Sequence, residues 1–149
     1  SSTITNPADF RRYTTRKFKF NFGSDVPLIR TAEMILIDAE ALARTPGKEA
    51  EAHDLLYALQ KNRDVNAVKS TNTGAALIDE ILLERRKELY AENGVEWFDA
   101  KRLRKGITRT GNHRIFKNLS ADDKRFFLKV PQSEIDANES IDDTVNKDR

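Results

Sequence analysis

Residues 84–104 read ERRKELYAENGVEWFDAKRLR and hold eleven charged side chains together with Trp97, the only tryptophan of the protein. A large apolar ring in such a stretch either lies on an exposed binding surface or points inward from a short helix. Gly94 lies three positions before the tryptophan, and glycine often ends a helix because it adopts a positive φ at low cost. We therefore predict that one helix ends at Gly94 and that a second helix, over residues 95–105, turns three apolar side chains inward: Trp97, Phe98 and Leu103.

Apolar side chains at helical spacing predict three longer helices before this segment. The first covers residues 28–44 and has an inner stripe of Leu28, Ala32, Ile35, Ala39 and Leu42. The second covers residues 48–63 behind a predicted cap of Thr45 and Pro46, with an inner face of Ala52, Leu55, Leu56 and Leu59. The third is capped by Thr73 and carries on one stripe Ile78, Leu82, Arg85 and Leu89. The short turn between the first two helices predicts an antiparallel pair, the geometry of one tetratricopeptide-like unit.

The two ends of the chain show extended patterns. Phe18, Phe20 and Phe22 alternate with polar residues, which predicts a short strand laid against the helices. Residues 125–131 predict a second extended segment, followed by about two helical turns over residues 132–138. The fold class is therefore mainly α, with short extended segments at both ends. We place an extended lead-in at residues 1–26, a helical domain at 27–138 and a polar tail at 139–149.

Composition and charge exclude several classes of protein. Charged residues make up 34% of the 149 residues, above the usual share of about 25%, which suits surface-rich helices. The net charge is only +2, so the whole chain does not attract nucleic acid or an anionic membrane. Seven lysines and arginines lie between residues 100 and 121 without an acid, but no recognition motif accompanies them, and we interpret them as solvated surface. There is no cysteine, which excludes disulfides, thiolate catalysis and cysteine-bound zinc.

No catalytic motif is present in the sequence. It lacks a phosphate-binding glycine loop and the GxSxG elbow of serine hydrolases. Glu49 and His53 lie one helical turn apart, and we interpret them as an exposed pair rather than as metal ligands. The carboxylates of residues 84–99 lie beside arginines and are interpreted as salt-bridged rather than as a glycosidase pair. The sequence thus predicts no catalytic residue, no metal site and no cofactor, and the protein is not expected to be an enzyme.

Arg85 presents a specific problem because it falls on the apolar stripe of its helix. An unpaired charge inside a helix seam is costly, so the guanidinium must either reach solvent or meet a carboxylate. Glu33 and Glu40 on the first long helix and Asp99 on the tryptophan helix are the candidate partners. We predict a buried, bidentate ion pair that fixes the register between helices and has no catalytic role.

Four motifs in order resemble the C-terminal region of the RagB/SusD family of outer-membrane nutrient-binding lipoproteins. The helix pattern R-x-A-E-x-x-L-x-x-A-E-A is matched by Arg30, Ala32, Glu33, Leu36, Ala39, Glu40 and Ala41. The pattern E-R-R-x-E-L is matched by Glu84, Arg85, Arg86, Glu88 and Leu89. A glycine turn and W-F-D-x-x-R are matched by Gly94, Trp97, Phe98, Asp99 and Arg102. The closing I-P-x-x-E-I-x-x-N is matched by Pro131, Glu134, Ile135 and Asn138, with Val130 in place of the first isoleucine.

This resemblance implies a tetratricopeptide-like α-superhelix that is part of a larger lipoprotein at the bacterial surface. It also implies that the full-length protein binds oligosaccharides, or less often peptides, and delivers them to a TonB-dependent, SusC-like transporter. The motif residues are expected to be scaffold, and no ligand-binding residue is assigned. The alternative is a tetratricopeptide-type adaptor that binds a protein or peptide, for which a cytoplasmic repeat array in the full-length sequence would be the distinguishing feature.

Overall fold

A computed structural model describes Lys17, Asp25, residues 27–109 and residues 118–147 of the chain. Within these residues there are five α-helices: α1 (Thr31–Ala43), α2 (Glu49–Arg63), α3 (Gly74–Glu88), α4 (Val95–Arg102) and α5 (Gln132–Ala137). Two short 3-10 helices cover Lys124–Phe126 and Asp143–Asn146. The mainly α class is confirmed, whereas the predicted strand at residues 18–22 lies outside the described residues. The arrangement of the helices in a tetratricopeptide-like superhelix stays a prediction.

The chain divides into two compact units, which are described separately. The first, the helical unit, comprises residues 23–96 and contains α1, α2 and α3. The second, the C-terminal unit, comprises residues 97–149 together with residues 1–22.

The core of the helical unit is built around α1, which packs against both α2 and α3, while α2 and α3 touch each other little. Its buried members come from all three helices: Ala32, Leu36, Ala39, Ala43, Ala52, Leu56, Leu59, Leu77 and Ile81. Alanine at four of these positions lets the helix backbones approach closely, because a methyl group takes little space between them. The predicted inner residues Ile35, Leu42, Leu55 and Ile78 are only partly buried beside this core.

The start of α1 differs from the prediction. The helix begins at Thr31, and Leu28, predicted to face the core, is exposed. Long-range contacts hold the preceding segment out of the helix, since the Asn93 side-chain amide donates hydrogen bonds to the carbonyls of Pro27 at 3.2 Å and Leu28 at 2.9 Å. Arg30 then takes the N-cap position with extended backbone.

The caps of α2 and α3 also differ from the sequence-based expectation. α2 begins at Glu49, and Thr45 instead serves the end of α1, because its hydroxyl donates to the carbonyl of Ala41 at 2.9 Å. Thr73 occupies the N-cap position of α3 as predicted, but its side chain makes no capping hydrogen bond. The N–H of Gly74 is satisfied by the carboxylate of Glu49 at 2.8 Å, which joins the beginnings of α2 and α3.

The turn between α3 and α4 is longer than predicted. α3 ends at Glu88 rather than at Gly94, and α4 ends at Arg102 rather than at residue 105. Ala91, Asn93 and Gly94 all have positive φ, at 58°, 45° and 70°, so the chain turns over several residues instead of at one glycine. Alanine in this conformation is strained by about 1 kcal/mol, which the contacts around the turn must offset.

A few specific contacts join the segments within the C-terminal unit. Ile107 and Leu119 form an isolated antiparallel bridge with two backbone hydrogen bonds of 2.9 Å. The segment predicted as extended, residues 125–131, begins within the 3-10 helix; Phe127 has extended backbone, and the extended segment as a whole stays a prediction. The helix predicted at residues 132–138 is present as α5. Asn146 exchanges two hydrogen bonds of 2.9 Å with the backbone of Val130, which ties part of the polar tail to this segment.

Candidate functional site

Arg85 of α3 and Glu33 of α1 form an ion pair inside the helical unit. Arg85 is only 7% exposed, and its Nη2 lies 3.0 Å from Oε1 of Glu33. The prediction that Arg85 is buried against a carboxylate of α1 is therefore confirmed. Because a charged hydrogen bond between two helices is lost when either helix slides, this pair fixes the register of α1 against α3.

A second group of side chains surrounds Glu88 at the end of α3. Arg30 donates from Nη1 to the Glu88 carboxylate at 2.7 Å and from Nη2 to the Glu88 carbonyl at 2.6 Å. Its Nε donates to Glu92 at 2.9 Å. Arg63, at the end of α2, donates two hydrogen bonds to the Glu88 carboxylate at 2.8 and 2.9 Å. We call these four residues, Arg30, Arg63, Glu88 and Glu92, the arginine–glutamate cluster.

The electrostatics of the cluster favour the ionised form of Glu88. The hydrogen bonds from Arg63, and next those from Arg30, lower the pKa of the Glu88 carboxyl to about 2, although burial alone would raise it. The hydrogen bond to Glu92 is the largest cause of a raised pKa for Arg30. Both charges therefore persist at any ordinary pH. A carboxylate held by two guanidinium groups has no free basicity for proton transfer, so the cluster is suited to holding three segments together rather than to catalysis.

Two further motif carboxylates, Glu40 and Asp99, bind arginines that lie three or four positions further along the chain. Glu40 is buried in α1 and accepts two hydrogen bonds from Arg44, at 2.8 and 3.0 Å. Asp99 of α4 accepts a hydrogen bond of 2.7 Å from Arg102. These pairs shield the carboxylates with neighbouring guanidinium groups.

Trp97 and Phe98 lie side by side in sequence but in different environments. The ring of Trp97 is partly buried and lies 4.7 Å, centroid to centroid, from the ring of Phe126 at an angle of 46°. Phe98 was predicted to face inward, and this is wrong, because 62% of it is exposed. Neighbouring residues of a helix point about 100° apart, and in α4 the inward direction is taken by Trp97 and the buried Ala100.

The closing motif forms the ends of α5. Pro131 occupies its N-cap position, and Asn138 ends it with extended backbone. The side-chain oxygen of Asn138 accepts from the N–H of Ser140 at 3.0 Å, and its amide lies 3.5 Å from Glu134. Glu134 is exposed. The observed contacts of these three residues are thus local to the helix and its turn.

Sequence reasoning did not single out Arg63 or Glu92 of the arginine–glutamate cluster. Arg63 is separated from Glu88 by 25 positions, and Arg30 is separated from Glu92 by 62. No local pattern joins residues at such distances. The sequence singles out Arg30 only as the first residue of the first motif, and Glu33 at i+3 offers it a local partner, so nothing in the sequence indicates that Arg30 binds Glu88 and Glu92 instead.

Ligand-binding features are sparse among the described residues. Across residues 27–109 and 118–147, no group of histidines or carboxylates is arranged to hold a metal ion. A shallow depression at the α1–α2 turn is lined by Ala43, Arg44, Thr45, Pro46, Gly47, Glu49 and Ala50. It holds one arginine, already bound to Glu40, and so presents little chemistry to a ligand. None of the described helices has the length and apolar character required to span a membrane.

Ion pairs of Arg85 with Glu33, and of Arg30 and Arg63 with Glu88, join the segments of the helical unit. Comparison with protein families matches residues 11–146 to the SusD family. The chain therefore belongs to the SusD family, whose members are binding proteins rather than enzymes. No curated protein and no solved structure matches the chain.

Proposed function

We propose that the chain is the C-terminal part of a surface-exposed outer-membrane lipoprotein that binds oligosaccharides and delivers them to a TonB-dependent, SusC-like transporter. The observation that carries this proposal is the family match over residues 11–146, which spans all four motifs. In this proposal the ligand of the full-length protein is an oligosaccharide rather than a peptide, and the lipid anchor lies in a part of the protein that precedes these residues.

The contacts of the motif residues support a division of labour within such a protein. Arg85 is bound to Glu33, and Arg30 and Arg63 are bound to Glu88. These charged groups serve the scaffold and are not available to contact sugar hydroxyls. Ligand specificity in this proposal therefore comes from segments outside the four motifs, and the motif residues keep the helices in place beneath them.

Binding of oligosaccharides to the protein expressed from its whole gene tests the proposal. A glycan array followed by calorimetry is expected to give saturable binding to a class of oligosaccharide, and co-purification is expected to recover a TonB-dependent transporter. Binding to a peptide library tests the alternative, a function as a peptide-binding adaptor. Saturable binding of peptides without any glycan binding would contradict the proposal and support the adaptor function.

Exchange of Glu51 for glutamine provides a matched control for variants of the scaffold. Glu51 forms an exposed ion pair with Lys48 at 2.5 Å on the surface of α2. Its replacement is expected to leave both folding and glycan binding unchanged. The scaffold role predicts that Glu88→Gln loses glycan binding only under conditions in which it also loses stability. Glu51→Gln is expected to lose neither.

A further inference from the structure

The turn between α3 and α4 contains the one Asn-Gly pair of the sequence, Asn93–Gly94. Both residues are exposed, and both have positive φ, at 45° and 70°. Positive φ is uncommon for a residue with a side chain, so contacts with other segments help to hold Asn93 in this conformation. Its side-chain nitrogen supplies two of them, because it donates hydrogen bonds to the carbonyls of Pro27 at 3.2 Å and Leu28 at 2.9 Å.

These two hydrogen bonds require the NH2 group of the Asn93 side chain. Both acceptors are carbonyl oxygens, so the oxygen of the side-chain amide could not replace its nitrogen. The segment that they hold leads directly into Arg30, whose carbonyl accepts from the N–H of Glu33 at 2.9 Å and of Met34 at 3.4 Å. The amide nitrogen of Asn93 therefore fastens the segment before α1 to the turn after α3.

An asparagine that is followed by glycine can lose its amide nitrogen without an enzyme. The backbone nitrogen of the glycine gives its proton to a base and forms a bond to Cγ of the asparagine; the bond from Cγ to Nδ2 breaks, and Nδ2 leaves as ammonia. Water then opens the resulting cyclic imide at one of its two carbonyls, which leaves aspartate or isoaspartate at that position. Glycine favours the attack because it has no Cβ beside the nitrogen.

The structure leaves the attacking nitrogen free and restrains the leaving one. Among residues 27–109 and 118–147, no acceptor is bound by the N–H of Gly94, whereas the N–H of Val95 donates to the carbonyl of Glu92 at 3.0 Å. The amide nitrogen of Asn93 is held by its two hydrogen bonds, so the reaction must compete with them. An exposed turn opens more readily than packed helices, and such openings allow the attack.

We infer that Asn93 is a modification site at which deamidation, with water as the only co-reactant, irreversibly releases the segment before α1. An aspartate oxygen cannot donate, so the new carboxylate would face the carbonyl oxygens of Pro27 and Leu28 as one acceptor faces another. It also adds a negative charge directly after Glu92, which is only 7% exposed. Isoaspartate in addition carries the backbone through the side chain and lengthens the turn. The modification is independent of the proposed glycan binding.

Peptide mapping by mass spectrometry tests the modification in the protein expressed from its whole gene. The protein is aged in mildly alkaline buffer, and the deamidated and isoaspartate forms of each asparagine-containing peptide are followed over time. Asn93 is expected to convert several-fold faster than Asn66 and Asn72, which are also exposed but precede alanine and threonine. Unfolding in urea is expected to accelerate the conversion of Asn93 further, because it removes the hydrogen bonds that hold the amide.

Hydrogen–deuterium exchange of the same protein tests the release of the segment. Asn93→Asp reproduces one product of the reaction. It is expected to speed exchange at the N–H groups of Glu33 and Met34 by about tenfold or more, because the residues before them lose two hydrogen bonds. Aged parent protein is expected to show the same change in the fraction of molecules that has been converted. The amides in the middle of α2 are the internal reference and are expected to stay unchanged.

Two further variants separate the site from general effects of charge. Asn93→Ala removes the donor without adding a carboxylate, so it is expected to speed exchange less than Asn93→Asp does. Asn66→Asp adds the same charge in the connection between α2 and α3 and is expected to leave exchange at Glu33 and Met34 unchanged. Unchanged exchange in Asn93→Asp, or an equal change in Asn66→Asp, would overturn the release. Conversion of Asn93 that is no faster than that of Asn66 and Asn72, or that urea does not accelerate, would overturn the assignment of the site.

Discussion

Replacement of Glu88 by glutamine is the sharpest test of the arginine–glutamate cluster. The change keeps the shape of the side chain but removes the charge that Arg30 and Arg63 share. The carboxyl pKa falls from an ordinary value of 4.5 to about 2, and the full difference would correspond to about 3 kcal/mol at neutral pH. Arg63 is half exposed, so water screens part of this energy. We expect Glu88→Gln to lower the free energy of unfolding by about 1–2 kcal/mol.

The pH dependence of stability gives a second readout of the same contacts. A lowered pKa means that the folded protein holds the ionised form more tightly than the unfolded chain does. The stabilisation by Glu88 is then fully present above about pH 5 and is lost as the pH falls towards 2. The difference in stability between the parent protein and Glu88→Gln is therefore expected to shrink over this interval.

Urea denaturation followed by circular dichroism at several pH values measures both effects. Glu51→Gln is the control, because its exposed pair with Lys48 is expected to contribute less than about 0.5 kcal/mol. Parallel pH curves for the parent and Glu88→Gln would refute the reasoning. The reasoning would also be refuted if Glu88→Gln lowered the free energy of unfolding by no more than Glu51→Gln does.

Substitutions at three further positions test other contacts, each measured by thermal or urea denaturation. Arg85→Ala is expected to cost about 2–4 kcal/mol because it leaves the partly buried carboxylate of Glu33 without its partner. Arg85→Met is expected to cost less because it fills the space; equal stability of both variants and the parent would show that the pair contributes nothing. Trp97→Ala is expected to lower the free energy of unfolding by about 2–3 kcal/mol, which is less than the loss of a fully buried ring would cost. Iodide is expected to quench the fluorescence of Trp97 only in part, and complete quenching would show that the ring is exposed. Gly106→Ala is expected to cost about 1–3 kcal/mol, because its Cβ would lie 2.1 Å from the carbonyl oxygen of Leu119 and force the backbone bridge apart; an unchanged thermal midpoint would contradict this close approach.

The existence of the helices could be predicted from the sequence, but their bounds and inner faces could not. The spacing of apolar residues indicates a helix near residue 28, yet α1 begins at Thr31 because Asn93 and the arginine–glutamate cluster hold the residues before it. The inner face of α1 is also centred on Leu36 rather than Ile35. Because α1 packs against two other helices, it buries a face that is wider than one apolar stripe. Polar long-range contacts determine where that face lies.

The contrast between Arg85 and Glu88 shows which part of a site a single sequence reveals. Arg85 was predictable because it interrupts an apolar stripe, and a charge at such a position requires a partner. The pKa of the Glu88 carboxyl is lowered to about 2, and Glu88 is part of the E-R-R-x-E-L motif, but nearly every neighbour in the sequence is charged, so the local pattern does not indicate its partners. Its partners are brought to it only by folding.

The many charges around Trp97 are therefore not one solvated face. Arg85, Glu88 and Glu92 are bound between segments of the helical unit, whereas Arg86 and Glu96 form an exposed pair at 2.9 Å. The composition suggests a charged surface. The least exposed of these charged side chains instead help to fix the helix register, which a larger apolar core would otherwise do. The pair of Arg85 with Glu33 lies within α3 and α1, and the pair of Arg63 with Glu88 joins the ends of α2 and α3, whereas Glu92 binds Arg30 from the turn after α3, so two of these three directional pairs depend on the helices and not on the connections.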